Sequence, residues 1–256
     1  MSTLPYWPSA MKDNPNLALR AGQVDCWAVP AMTAPPDPGA LPKLLSAGEM
    51  DRATRFHFEK DRVRYISRHA ALRLILSRYL KVEPQSLIFS EEANGRPVLA
   101  HTGAGLHFNL SRSGDLALLA VSPAAAVGVD VEEIRDIPDL IQVARHHFAA
   151  VEFDNLNQLS LESQLAGFYT IWTRKEAFVK AIGTGLSYPL SAFTTGRTDQ
   201  PPVLQIGDTH CGNWTMADLA PGEGYAGALA IGQPGISIRC LTADWAWLLA
   251  PSLRLR

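Results

Sequence analysis

Phe168-Tyr169-Thr170-Ile171-Trp172-Thr173-Arg174-Lys175-Glu176-Ala177-Phe178-Val179-Lys180-Ala181-Ile182-Gly183 carries the strongest local pattern in this chain. Its apolar residues recur at helical spacing, it holds no proline, and Gly183 suits a left-handed cap, so it reads as a helix closed by glycine. At about 100° per residue, Phe168, Ile171, Trp172, Phe178, Val179 and Ile182 form one broad apolar arc. Lys175 falls inside that arc, Glu176 and Lys180 sit at its edge beside Tyr169, and Arg174 points the other way. Burying a lone ammonium is strongly unfavourable, so an anion is expected against this face. A Glu176–Lys180 pair at i,i+4 with a snorkelling Lys175 is the competing reading. It accounts for Lys180 well and for Lys175 poorly.

Around this helix lie 256 residues, 47% hydrophobic, enough for one large domain or two small ones sharing a core. A net charge of −2 argues against a general nucleic-acid binder. Cys26, Cys211 and Cys240 are scattered, with no CxxC pair, which fits a reducing cytosol better than a disulfide framework or a thiolate zinc site. Residues 1–20 carry three prolines and no apolar core, so they read as a loose leader, neither signal peptide nor anchor. No apolar run approaches a membrane span. The expectation is a cytoplasmic protein with no membrane or nucleic-acid partner.

Residues 24–29 read as a strand stopped by Pro30, and residues 33–42, with four prolines, as a loop. Residues 46–80 turn helical, as two helices broken near 56–60, and are rich in cations: Arg52, Arg55, Lys60, Arg62, Arg64, Arg68, Arg73 and Arg78. Arg68, Arg73 and Arg78 are expected on a solvated face, whereas Arg52, Arg55 and Arg64, near the break, could converge on one anion. A turn at residues 94–97 leads to a short strand. Residues 106–110 and 116–121 form a hairpin whose polar bend spans 111–115, and 126–132 is another strand. Helices at 140–147 and near 152–159 precede the long one, and strands at 203–206, 214–219, 225–231 and 236–241 follow it. The order is α+β. Both halves place helices before two or three strands, as if a unit were duplicated and joined near Pro123, giving residues 1–122 and 123–256.

In Gly128-Val129-Asp130-Val131-Glu132, a period of two puts Asp130 and Glu132 on one strand face and the valines on the other. Adjacent carboxylates repel, so such pairs stand in solvent or share a cation. Mg²⁺ favours one or two carboxylates plus phosphate oxygens and water. The acid pair alone is a weak signal. Taken with the lysine inside the helix arc, the edge glutamate and the turn arginines Arg55, Arg96 and Arg112, a magnesium–phosphate ligand reconciles them all. No P-loop, GxGxxG or GxSxG motif is present. Ser111 and Ser113 have His101 and His107 nearby in sequence, but hydrophobic alternation sets His107 across the strand rather than at their bend, against a serine hydrolase.

G-V-D-V-E at 128–132, followed about forty residues on by W-T-R-K-E-A-F-V-K at 172–180, resembles the paired signature of 4′-phosphopantetheinyl transferases. Length and upstream elements resemble the surfactin-synthetase-activating (Sfp) type: Arg55-Phe56 with Asp61, Arg62 and Arg64, the turn Asn94-Gly95-Arg96-Pro97, Phe108-Asn109-Leu110-Ser111-Arg112-Ser113, and Phe148 to Glu152. The resemblance implies two similar α/β halves in pseudo-twofold relation, 1–122 and 123–256, the second carrying the metal site, with coenzyme A between them. It implies a monomeric enzyme that moves phosphopantetheine from coenzyme A to a serine of an apo acyl or peptidyl carrier protein and releases adenosine 3′,5′-bisphosphate. Asp130, Glu132 and Glu176 would ligate Mg²⁺, with Mn²⁺ as a substitute. Glu176 would take the serine proton, directly or through a water on the metal. Lys180 would contact the pyrophosphate and the leaving group, and Lys175 would stand at the ligand face. Arg52, Arg55, Arg64, Arg96, Ser111 and Arg112 would hold the 3′-phosphate and adenine end. Arg112 stands where the family usually has histidine, so phosphate grip is expected to persist with less pH dependence. Glu152 could be a structural cap or a catalytic group. Competing functions are a Mg-dependent nucleotide phosphohydrolase using the same acids, and a binding module without catalysis.

Overall fold

The computed structural model describes residues 7, 17–31, 39–92, 95–100, 105–123 and 125–250. Most of the expected leader and proline loop, together with Asn94 and His101, lies outside these. The strands in chain order are β1 (Gln23–Pro30), β2 (Phe89–Glu91), β3 (Pro97–Leu99), β4 (His107–Ser113), β5 (Leu116–Ser122), β6 (Val127–Glu133), β7 (Phe193–Thr194), β8 (Gln205–Ile206), β9 (Thr209–His210), β10 (Thr215–Leu219), β11 (Tyr225–Ile231) and β12 (Ser237–Thr242). The helices are α1 (Ala47–Thr54), α2 (Glu59–Leu80), α3 (Leu140–His147), α4 (Ala150–Asn157), α5 (Leu161–Ala181) and α6 (Trp245–Leu249).

Two sheets make the frame, one in the order β12-β1-β5-β4 and one in the order β10-β11-β6. Period-two alternation gives each strand two dry faces. On β1 and β5, Trp27, Val29, Ala117, Leu119 and Val121 pack with Leu72, Ile75 and Leu76 of α2. Their other face, Cys26, Ala28, Leu118 and Ala120, meets Val127, Val129, Val131, Leu229 and Ile231 of the second sheet. Ala228 and Ala230 on the far side of that sheet pack against Ala177, Phe178 and Val179 of α5. The result is four layers, helix–sheet–sheet–helix, a mixed α+β fold in which each sheet is backed by one long helix.

Gly128 explains how closely α5 approaches β6. A Cβ there would stand 1.9 Å from the Ala177 carbonyl oxygen and 2.5 Å from the Ala181 nitrogen. Gly183, at φ +74°, closes the helix as expected. The helix begins at Leu161, earlier than the sequence pattern placed it, because nothing between Ser160 and Phe168 breaks it.

One strand crosses the expected boundary between 1–122 and 123–256: β12 pairs in parallel with β1, Cys26 opposite Cys240, and α6 packs on the α2 side of the first sheet. Other expectations are corrected. Arg73 is 1% exposed rather than solvated: it donates to Glu49 and to the carbonyls of Pro84 and Leu87. Arg78 lies over the Trp247 ring at 4.5 Å and donates to carbonyls at the end of α6. Arg174, on the side of α5 away from the apolar arc, is fully buried and donates to Asp218. Finally, Ser111, Arg112 and Ser113 belong to strand β4, so the bend narrows to Gly114 and Asp115.

Candidate active site

The seam where β4 meets β6, capped by the C-terminal turns of α5, gathers the polar residues. Asp130, on the face of β6 that looks toward α5, is 2% exposed. Its Oδ1 accepts from Lys180 Nζ at 2.5 Å and from Ser111 Oγ at 2.7 Å, and Lys180 Nζ also donates to Ser111 Oγ at 3.0 Å. Lys180 therefore bridges to Asp130, not to the Glu176 one turn before it. Two residues along β6, Glu132 accepts from Ser113 Oγ at 2.7 Å.

Glu176 is half-buried on α5 beside these acids. Burial, reinforced by the negative charges of Asp130 and Glu132 and opposed by Lys180, lifts its pKa from 4.5 to about 7. Burial also raises Asp130, against the pull of Lys180 and Ser111. Glu132 is raised by burial, with the Ser113 bond opposing and Asp130 adding to it. Three carboxylates whose protons burial holds on are short of positive charge.

No three His, Cys, Asp or Glu side chains are drawn together as a closed metal cage among the described residues. The donor set nevertheless fits a cation that completes its shell with phosphate oxygens. Hard Mg²⁺ needs only one or two protein carboxylates in that setting, and the second oxygen of Asp130, Oδ2, is buried with no hydrogen-bond partner among the described residues.

The expected phosphate-gripping cations lie on the first half. Arg52 and Arg55 border a surface hollow of about 500 Å³ with Gly48, Asp51 and Phe56. Arg52 reaches Glu91 at 3.5 Å and Arg55 pairs with Asp51, both in solvent. Arg64 grips Asp115 at 2.5 Å. Arg112 is exposed on β4 and, with Arg52, acts on the Tyr65 hydroxyl, whose pKa burial nevertheless raises. Arg68, read from the sequence as solvated, joins this group. Burial, then Arg112 and Arg64, lowers its pKa to about 10, and its Nε is buried with no hydrogen-bond partner among the described residues. Sequence reasoning missed it because a helical wheel does not show that β4 delivers Arg112 beside it.

Two expected ligand contacts are not brought to this face. Lys175 is fully buried on the other side of α5: its Nζ contacts Glu152 Oε2 at 2.7 Å and donates to the carbonyls of Leu190 at 2.7 Å and Phe193 at 2.6 Å. The anion that meets it comes from the chain itself. Glu152 also accepts from the Thr195 amide at 2.7 Å and from the Ala149 amide, so it caps α4 and ties it to the segment at Thr195. Arg96 is turned inward, donating to the carbonyls of Lys180, Phe108 and Val127, where it ties the end of α5 to the starts of β4 and β6. Ser111 stands in the site, but its hydroxyl is engaged by Asp130, Lys180 and the Val131 amide. His107 is exposed at the opposite end of β4 from the Gly114 bend.

Two helix-backed sheets with acids and a lysine at their seam are what the structure shows, and sequence comparison identifies the family. Residues 126–230 match the 4′-phosphopantetheinyl transferase superfamily, and residues 39–124 match the family description 4′-phosphopantetheinyl transferase, N-terminal. The chain is 34% identical over 219 residues to 4′-phosphopantetheinyl transferase HetI of Nostoc sp. (strain PCC 7120), covering 85% of this chain and 91% of that one. It is 39% identical over 154 residues to 4′-phosphopantetheinyl transferase psf-1 of Bacillus pumilus, covering 60% and 64%. It is 27% identical over 167 residues to 4′-phosphopantetheinyl transferase Sfp of Bacillus subtilis, covering 65% and 73%. The chain belongs to the 4′-phosphopantetheinyl transferase family. Within it, the relatives group it with the Sfp-like type.

Proposed function

We propose that this chain transfers 4′-phosphopantetheine from coenzyme A to a serine of an apo acyl or peptidyl carrier protein, releasing adenosine 3′,5′-bisphosphate. The observation that carries this reading is the contact between the halves of the signature. Lys180 of α5 lies 2.5 Å from Asp130 of β6, with Glu176 and Glu132 alongside. In this reading Asp130, Glu132 and Glu176 hold Mg²⁺ at the pyrophosphate. When bound, that ion supplies charge neutralisation for the breaking phosphoanhydride.

The chain's own residues do the rest. Arg52, Arg55, Arg64 and Arg112, joined by Arg68, grip the phosphate at the adenosine end, where guanidinium forks suit phosphate oxygens. Lys180, held at Asp130, would balance the charge that collects on the leaving group. The serine oxygen bonds to the phosphorus nearer the pantetheine, and the bond from that phosphorus to the departing nucleotide oxygen breaks. The serine proton passes to Glu176, the carboxylate that α5 sets beside Asp130 and Glu132. Both faces of the site come from one chain, which supports a monomeric working unit. Cys26, Cys211 and Cys240 are all unbonded, which supports a reducing, cytoplasmic setting. Among the described residues no helix is long and apolar enough to cross a membrane.

The test incubates the protein with coenzyme A, Mg²⁺ and a panel of apo carrier proteins. A mass gain of one phosphopantetheine on a carrier is expected. Nucleotide release without carrier and without mass gain would sink the reading in favour of a phosphohydrolase.

A further inference from the structure

β4 and β6 lie side by side and share no main-chain ladder; side chains join them. Asn109 Oδ1 accepts from the Val129 amide at 2.9 Å, Ser111 Oγ from the Val131 amide at 3.3 Å, and Ser113 Oγ from the Glu133 amide at 3.0 Å. The offset is the same at each step, so the strands run parallel and a β4 side-chain oxygen takes the place of a main-chain carbonyl at every second residue. Only short side chains with an acceptor can fill these positions. Arg96 closes the same seam at its start, on the carbonyls of Phe108 and Val127.

The serines have a donor left over. A hydroxyl offers one donor and two acceptor positions, and a β6 amide that occupies an acceptor position steers where the hydrogen points. Ser111 gives its hydrogen to Asp130 Oδ1, and Ser113 gives its hydrogen to Glu132 Oε2, each at 2.7 Å. Each serine thus takes an amide from the residue after the acid and holds one oxygen of the acid itself. At Asp130 the oxygen left over, Oδ2, is the buried one without a hydrogen-bond partner among the described residues.

We propose that Ser113 is a positioning residue. By anchoring Glu132 Oε2 to the β4–β6 seam it turns the other carboxylate oxygen toward the cation, as Ser111 does for Asp130. This rests on Asp130 and Glu132 being metal holders. A residue that orients a metal-holding carboxylate typically changes metal affinity 10–100-fold when removed. Ser113 has no part in holding coenzyme A or in moving the proton, so its effect should fall on the metal alone.

The experiment is Mn²⁺ titration of the full chain with coenzyme A present, followed by electron paramagnetic resonance of the free ion, for Ser113→Ala, Ser113→Thr and Glu132→Gln. Ser113→Ala is expected to raise the Mn²⁺ dissociation constant about tenfold, while coenzyme A binding without metal is unchanged. Threonine, which keeps the hydroxyl, is expected to restore affinity. Should the alanine chain not fold, Ser113→Cys, close in size but a weak donor, is expected to show the same loss. Wild-type Mn²⁺ affinity in Ser113→Ala (or in the cysteine chain), or equal losses in the alanine and threonine chains, overturns the positioning role while Glu132→Gln still shows the acid as a holder. Wild-type affinity in Glu132→Gln overturns the metal assignment itself, and the positioning role with it.

Discussion

Two glutamates show how one residue type is set to opposite tasks. Burial alone would raise Glu49, but hydrogen bonds from His69 and Arg73 outweigh it and bring its pKa from 4.5 to about 2. Its contribution to stability is present above 4.5 and fades as pH falls toward 2. Glu176 is the reverse: the folded chain keeps its proton to about 7 where the unfolded chain loses it near 4.5, so its contribution shrinks as pH rises through that window. Glu176→Gln should flatten that part of the stability–pH profile, abolish phosphopantetheine transfer and leave coenzyme A binding partly intact; normal transfer by this variant would refute the base and metal assignment. Because a carboxylate must be deprotonated to hold a metal, Mg²⁺ affinity should climb with pH up to about 7 and then level, and calorimetric titration should show proton release below that point. Lys175→Met would strand Glu152 in the core, and breaking such a pair costs about 3–5 kcal/mol. Chemical denaturation should show a loss of that order, with Lys175→Met/Glu152→Gln recovering part of it. The helical period placed Lys175 toward the core and the physics demanded an anion. Only the fold could show that the anion is Glu152 and not a ligand.

At the scale of elements, each long helix buries an arginine that holds the connection following it. Arg73 on α2 takes the carbonyls of Pro84 and Leu87, and Arg174 on α5 takes those of Thr195, Arg197 and Gln200. Both are legible as helix residues, and Arg73 reads as a solvated one, because a cation on a wheel says nothing about which loop returns over it. The helices themselves were readable: residues 140–147 were bounded correctly, and the break between α1 and α2 fell where the apolar period fails. Short strands β7 and β9 were not, since two residues carry no period. The serines of β4 were read as a bend because they are polar; they are strand residues that use their polarity to join a second strand. The contact of β6 with α5 depends on Gly128. Gly128→Ala would push its methyl into the Ala177 carbonyl, and overpacking of this kind costs roughly 1–3 kcal/mol. Since Asp130 sits on that strand and Lys180 on that helix, the variant should lose activity more steeply than thermal stability, measured side by side.

Across the whole molecule, the sequence shows a strand at residues 237–242 but not its partner. Strand signals are local, and the pairing of Cys26 with Cys240 is about as non-local as this chain allows. The duplicated plan invited a division at residue 123, yet the first sheet is completed by a strand from the far end of the second half. Asp25 on β1 holds Arg239 on β12 at 2.5 Å and accepts from the Tyr79 hydroxyl of α2, so strand, partner strand and helix are fastened at one buried point. A chain ending at residue 236 should therefore lose the cooperative unfolding transition of both halves rather than of one, which calorimetry would show as a single vanished peak. Biosynthesis meets the same dependence. β1 leaves the ribosome long before β12, and the edge they share stays bare until residue 242 has followed. An uncovered strand edge invites pairing with other chains. Until β12 arrives the nascent protein carries such an edge, so its exposure to neighbouring chains is set by the distance in sequence between β1 and β12.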